Sequence, residues 1–199
     1  MWYPLLQVSE TFASDEQVSE SDPLLAELRL GDTKAIRLVY RQHHEAVRAF
    51  GRRLLNVEAD ADELVQDTFV ALPKALKNFR GECTLRTFLL SIAAKTSRNY
   101  LRSRRRRSSL LEGFLGVVRF SPPKPLPDES LDSEMLANRL RAAMDQLSDD
   151  QRIAFVLVEV EERSSAEAGD ILGVPPSTVR ARAGAARRKL QELLGEEPS

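Results

Sequence analysis

Apolar residues along this chain recur at intervals of three, four and seven, the spacing that lines one face of an α-helix. Ile36, Tyr40, Val47, Phe50 and Leu54 keep this rhythm behind Asp32, a residue suited to capping a helix start. Val65, Phe69, Leu72 and Leu76 repeat it in a helix expected from about Asp60. Leu85, Leu89, Ile92 and Leu101 do so in a helix capped by Thr84. A shorter helix comes first, opened by Asp22 and Pro23 and closed by Gly31. Residues 78–83 (NFRGEC) break the period around a glycine and read as a loop.

Beyond the arginine run the pattern changes. SPPKPLPDES places four prolines in ten residues, which cannot join a helix and reads as an extended tether. Helices resume with Ser133, with Ser148 followed three residues later by Gln151, and with Ser164 followed by Glu167. The last two spacings are capping boxes, in which each side chain satisfies an otherwise unpaired backbone amide. Gly173 ends a short helix, Val174, Pro175 and Pro176 turn the chain, and a final helix runs from about Ser177 to Leu194. Its inward stripe is Val179, Ala183, Ala186, Leu190 and Leu193. No segment has a convincing strand period. The expectation is an all-α protein: two small helical domains, residues 22–107 and 134–194, joined by a flexible Pro-rich linker over 108–133. An acidic extension (1–21) precedes them and a short tail (195–199) follows.

Composition sharpens this picture. The 199 residues carry 29 Lys and Arg against 30 Asp and Glu, a net charge of −1 that conceals strong segregation. Residues 1–23 hold five acids and no base, while residues 84–107 hold Arg86, Lys95, Arg98, Arg102 and Arg104–Arg107 and no acid. Such blocks suit an acidic tail and a phosphate-facing surface. A single cysteine, Cys83, excludes a disulfide framework and a Cys-rich zinc module. His43 and His44 are neighbours that diverge by about 100° on a helix and do not readily share a metal. No paired nucleophile and base, phosphate-cradling glycine loop or metal cluster is evident, so neither an enzyme nor a cofactor nor a small-molecule substrate is expected. The longest apolar runs, at 88–94 and 153–158, fall far short of the ~20 residues that span a bilayer. The amino terminus has no basic segment before its apolar residues and no small-residue cleavage signal, so a cytoplasmic protein is expected.

Four constellations can carry function. The carboxy-terminal helix, turn and basic helix form the helix-turn-helix pattern, whose second helix enters the DNA major groove; a helical hairpin with a solvated face is the bland alternative. Five arginines within 102–107 can neutralise phosphates, or simply end a helix in solvent. The loop around Asn78, Phe79 and Arg80 offers an aromatic ring, amides and a guanidinium to an unstacked base, although Phe79 suits a core position equally well. Finally, Glu63, Gln66, Asp67 and Val70 share a face away from the apolar spine of their helix, where acids either serve the helix dipole or grip an arginine-bearing partner.

Taken in order, ELVQDTF, NFRGECTLRTFLLSIA and RNYLRSRRRR resemble region 2 of the sigma-70 family of bacterial RNA polymerase sigma factors. SSAEAGDILGVPPSTVRARAGAARRKLQELL resembles region 4 of that family, and the short spacing between the two resembles the extracytoplasmic-function (ECF) type. The resemblance implies a region 2 helical bundle and a region 4 helix-turn-helix in a bacterial transcription initiation factor. It implies that Glu63, Gln66, Asp67 and Val70 bind the clamp helices of the largest subunit of core RNA polymerase, with the flap as a further contact. The loop with Asn78, Phe79 and Arg80 would hold a base flipped from the −10 promoter element, and Lys95, Arg98, Asn99 and Arg102 would hold −10 DNA. Ser177, Thr178, Arg180, Arg182 and Arg187 would dock on the −35 element, and an anti-sigma factor is an expected partner.

Three features depart from the family pattern. Pro73 interrupts the polymerase-binding helix, Phe88 stands where tryptophan is common, and Ala181, Gly184 and Ala185 leave the groove-facing positions small. The small residues favour recognition of the −35 element through backbone contacts and DNA shape. A stand-alone helix-turn-helix regulator and a degenerate sigma-like protein that does not initiate are the alternatives.

Overall fold

The computed structural model describes residues 23–77, 79, 83–115 and 129–195, and all described regular structure is helical. The first unit comprises α1 (Pro23–Arg29), α2 (Thr33–Leu55), α3 (Glu58–Leu76) and α4 (Leu85–Leu115). Asp32 caps α2 by accepting hydrogen bonds from the amides of Lys34 (2.8 Å) and Ala35 (2.9 Å). Asn56 ends the helix in the left-handed region. Thr84 Oγ1 accepts from the amide of Thr87 at 3.1 Å and so opens α4. The capping expected of Asp22 lies outside the described residues.

The apolar periods land as expected on α3 and α4: Val65, Phe69, Leu72, Leu76, Leu85, Leu89, Ile92 and Leu101 are all buried. On α2 Val47, Phe50 and Leu54 are buried as expected, and only at the start of the helix is the stripe shifted by one residue, Ala35 and Val39 taking the buried positions in place of Ile36 and Tyr40. Val39 is fully buried, whereas Tyr40 is 40% exposed, stacked on His44 and edge-on to Phe69. An amphipathic ring covers the core from its rim and keeps its hydroxyl in water, a task an aliphatic side chain cannot share.

The second unit comprises α5 (Glu129–Asp145), α6 (Asp149–Phe155), a π-helical turn (Val156–Val160), α7 (Ser165–Leu172) and α8 (Pro176–Leu194). Both capping boxes form: Ser148 with Gln151 and Ser164 with Glu167 exchange reciprocal hydrogen bonds. Gly173 closes α7 with φ +65°. Val179, Ala183, Ala186 and Leu190 face inward on α8, but Leu193 is 46% exposed and Leu194 takes the packed position instead. Two boundaries also move. Helix α4 continues through the arginines to Leu115, and α5 starts at Glu129, ahead of Ser133. Residues 116–128, with most of the proline tract, lie outside the described residues.

The two units touch. Helix α4 packs against α6 and α7, the π-helical turn packs against α2, and the buried apolar residues of both units form one continuous cluster.

Candidate nucleic-acid interface

Helix α3 presents its polar face through Glu63, Gln66, Asp67 and Val70, spaced i, i+3, i+4, i+7 and all exposed. Opposite them Leu64, Thr68 and Leu72 are buried, with the Thr68 hydroxyl donating to the Leu64 carbonyl at 2.7 Å. Val70 is 79% exposed, an apolar side chain in a carboxylate and amide surround. All four positions precede Pro73, past which the helix continues to Leu76. The Tyr100 hydroxyl donates to Asp67 Oδ2 at 2.7 Å and links this face to α4. Partial burial, then the hydrogen bond and charge of Asp67, push the Tyr100 phenol above its usual range. Arg48 braces the start of α3 through Asp62 (2.7 Å) and Glu58 (2.6 Å).

Helix α4 carries the basic stripe. Lys95, Arg98, Asn99 and Arg102 share a face at the same spacing, with Leu101 buried behind. Lys95, Asn99 and Arg102 are exposed; Arg98 is half-buried. Asn78 and Arg80 of the preceding loop lie outside the described residues. Phe79 is described and is only 5% exposed, its ring tilted on that of Phe88 at a centroid distance of 4.3 Å. Its carbonyl accepts from Arg29. In this conformation Phe79 is packed inward and is not displayed for base stacking. Between α3 and α4 an aromatic ring finds more apolar area to bury inward than a loop surface offers, so Phe79 anchors the loop from within.

On α8, Ser177, Arg180 and Arg187 are exposed, and Thr178 and Arg182 are half-buried. Arg187 pairs with Glu159 of the π-helical turn. Gln151, Ser177, Thr178, Ala181, Arg182 and Ala185 line a shallow groove of about 410 Å³. The small side chains at 181 and 185 leave room there for a larger approaching surface.

Between the units runs a seam of ion pairs. Arg53 pairs with Glu161, Arg98 with Asp150 at 3.2 Å, Arg104 with Asp145 at 3.1 Å, and Arg105 with Asp149 at 3.0 Å. Asp145 also holds Arg152 at 2.6 Å. The Arg152 side chain is almost fully buried, and that burial lowers its pKa despite the partner. Asp150 bridges two arginines: Oδ1 meets Arg98 on α4 across the seam, while Oδ2 meets Arg182 on α8 within its own unit at 2.7 Å. The structure thus brings Arg98 and Arg182, from the two expected DNA-contacting helices, onto one carboxylate. It leaves Lys95, Asn99, Arg102 and Arg180 on exposed surface.

Sequence reasoning passed over Asp145, Asp149, Asp150 and Glu161. Asp149 and Asp150 sit in the first turn of α6 behind a capping box, where acids already have a local explanation in the helix dipole. Among the described residues no group of three or more His, Cys, Asp or Glu is arranged to hold a metal ion. No described helix is long and apolar enough to cross a membrane.

Residues 39–107 match the family model for sigma-70 region 2, and residues 137–190 match that for sigma-70 region 4. The chain is 32% identical over 168 residues to the RNA polymerase sigma factor CarQ of Myxococcus xanthus, covering 84% of this chain and 94% of that one. It is 31% identical to the ECF RNA polymerase sigma-E factor of Salmonella typhimurium, covering 87% and 96%. Among solved structures, CnrH in complex with the cytosolic domain of CnrY is similar with a TM-score of 0.58 at 27% identity, covering 86% of this chain and 95% of that chain. The sigma factor RpoE in complex with the anti-sigma factor NepR, from Bartonella quintana, has a TM-score of 0.54 at 27% identity, covering 83% and 97%.

Proposed function

Given that this chain belongs to the sigma-70 family, as a sigma factor of the extracytoplasmic-function type, we propose that its helix faces divide promoter recognition between them. In this reading residues 22–107 are the polymerase-gripping and −10-binding unit, residues 134–194 are the −35-binding unit, and the segment between them is the tether. Glu63, Gln66, Asp67 and Val70 meet the clamp helices of core RNA polymerase, with the exposed valine burying apolar area among charge-assisted contacts. Lys95, Asn99 and Arg102, with Arg98 once released from Asp150, hold the −10 strand, together with Asn78 and Arg80 of the loop. Ser177, Thr178, Arg180, Arg182 and Arg187 dock on the −35 element, where phosphate contacts position the helix. The chain catalyses nothing itself. Extracting a base costs a few kcal/mol, and contact energy of the kind assembled here can offset that cost. Solved relatives are seen with CnrY and with an anti-sigma factor, and a protein of that kind is proposed as a partner of this chain in the cytoplasm.

The observation that carries this reading is the first unit. Matched to region 2, it sets an acidic helix face beside a basic one, equipment that a stand-alone helix-turn-helix regulator does not need. The test is transcription with purified core polymerase on the chain's own promoter region. A start-site-specific transcript that appears only when the chain is added is the expected result. Core polymerase left inactive, or a chain that never co-purifies with it, would return the assignment to a regulator or a non-initiating relative.

A further inference from the structure

We propose that the acidic edge formed by Asp145, Asp149 and Asp150 acts as an internal stand-in for DNA phosphate, closing the free chain by occupying arginines of both DNA-contacting helices. The proposal rests on the reading of α4 and α8 given above. Its central residue is Asp150, whose two oxygens sit 3.2 Å from Arg98 and 2.7 Å from Arg182. A carboxylate offers a guanidinium the same charged oxygen acceptors that a phosphodiester offers, so promoter phosphates and Asp150 compete for the same donors. Asp149 on Arg105 and Asp145 on Arg104 extend the competition along the arginine run. Because these acids belong to the same chain, they face the arginines at high effective concentration, which DNA in solution has to exceed. Each pair is partly solvated and individually weak, so the pairs add to the apolar packing of α4 on α6 and α7, and a large partner such as polymerase has to displace both to separate the units. Exposed Lys95, Asn99 and Arg102 leave part of the basic stripe open for a first encounter.

The test uses the free full-length chain with Asp149→Asn and Asp150→Asn combined. Asp145 is retained, because it also neutralises the buried Arg152. The probe is a short fluorescein-labelled single-stranded DNA of mixed sequence, with X-ray scattering as an independent measure of closure. A control chain carrying Asp170→Asn and Glu192→Gln loses the same charge at exposed positions outside the seam. The double seam variant is expected to bind about tenfold more tightly than this control, as it should if only about a tenth of the wild-type chain is open. Its radius of gyration should rise, and added salt should expand the wild type toward the same value. An unchanged radius of gyration in the seam variant overturns the closure. Expansion without tighter binding than the control overturns the competition and counts against α4 as a DNA surface. Failure of the wild type to initiate with core polymerase is a separate outcome, which these free-chain measurements do not involve.

Discussion

The two helical units solve the same packing problem with different materials. In the first, the interior is filled by large side chains such as Phe50, Leu54, Leu64, Leu72 and Leu89, all essentially inaccessible. In the second, Leu147, Ile153, Leu157, Ile171 and Leu190 are buried too, but small residues join them at the contacts, Ala183 and Ala186 on α8 and Ala168 and Gly169 on α7. Large residues stabilise by apolar area, roughly 1.5–3 kcal/mol for each side chain fully buried. Small ones let backbones approach closely and bury less area each. Both units are capped, the first by Asp32, Asn56 and Thr84, while the second contains two complete capping boxes and a left-handed glycine cap within residues 148–173. The difference suits the functions proposed. A unit that must distort a nucleic acid benefits from a stiff, well-filled interior, whereas a recognition helix needs a compact support that holds it at a fixed angle.

The contrast is tested most strongly at Phe50. Phe50→Ala removes a fully buried ring from α2 and should cost about 3–5 kcal/mol, read as a large drop in thermal or urea stability. Ser164→Ala, which deletes one cap of the second unit, should cost only about 1 kcal/mol. Equal losses from the two would mean that a cap contributes as much as a filled core position, against the difference in buried area.

Two glycines of the second unit probe close packing from opposite sides. An added Cβ at Gly169 would lie 2.8 Å from the carbonyl oxygen of Val174, inside contact distance and against backbone. Gly169→Ala should therefore force the turn apart, at about 1–3 kcal/mol. At Gly184 the nearest heavy atom would be Arg188 Nη1 at 3.8 Å, the flexible end of a side chain. Gly184→Ala should stabilise the protein by up to about 1 kcal/mol, since only the helix-propensity difference remains. Calorimetry on both variants checks the pair. Destabilisation by Gly184→Ala would mean that α8 is as tightly confined as α7.

These distinctions were partly legible in the sequence. Periodicity located the helices because burial of one face is what holds them, and both capping boxes could be read because their hydrogen bonds are local. The residues misjudged are those at which two neighbours compete for one position. Tyr40 and Val39 differ by about 100° around α2, and Leu193 and Leu194 by the same rotation around α8; only the opposing surface decides between them. Phe79 was ambiguous for a related reason, since an aromatic residue in a loop can face either way until the core it would enter is known. The ionic seam was hidden altogether. Arg98 and Asp150 are far apart in sequence, and each already had a sufficient local reading, one as a phosphate contact and the other as a helix-dipole acid. Pairings between units leave no periodic trace.

The smallest effect is expected at the cap that supports the helix-turn-helix. Glu167 accepts a hydrogen bond from the amide of Ser164 at 2.9 Å and lies 3.4 Å from Arg163. The hydrogen bonding with Ser164, then the nearby arginine, lowers its pKa from the ordinary 4.5. A carboxyl group whose pKa is depressed by folding stabilises the folded state while it is ionised. That contribution is complete above the ordinary value and fades as pH falls through the lowered one. Glu167→Gln keeps an acceptor for the Ser164 amide but has no charge to lose. The wild type should therefore be slightly more stable than the variant at neutral pH, and the gap should close below pH 4.5 as Glu167 takes up its proton. Because the side chain is about half exposed, the gap should also narrow with added salt. Parallel stability curves for the two proteins across this acidic range would show that the cap works through hydrogen-bond geometry alone, and that charge adds nothing to the support of α7.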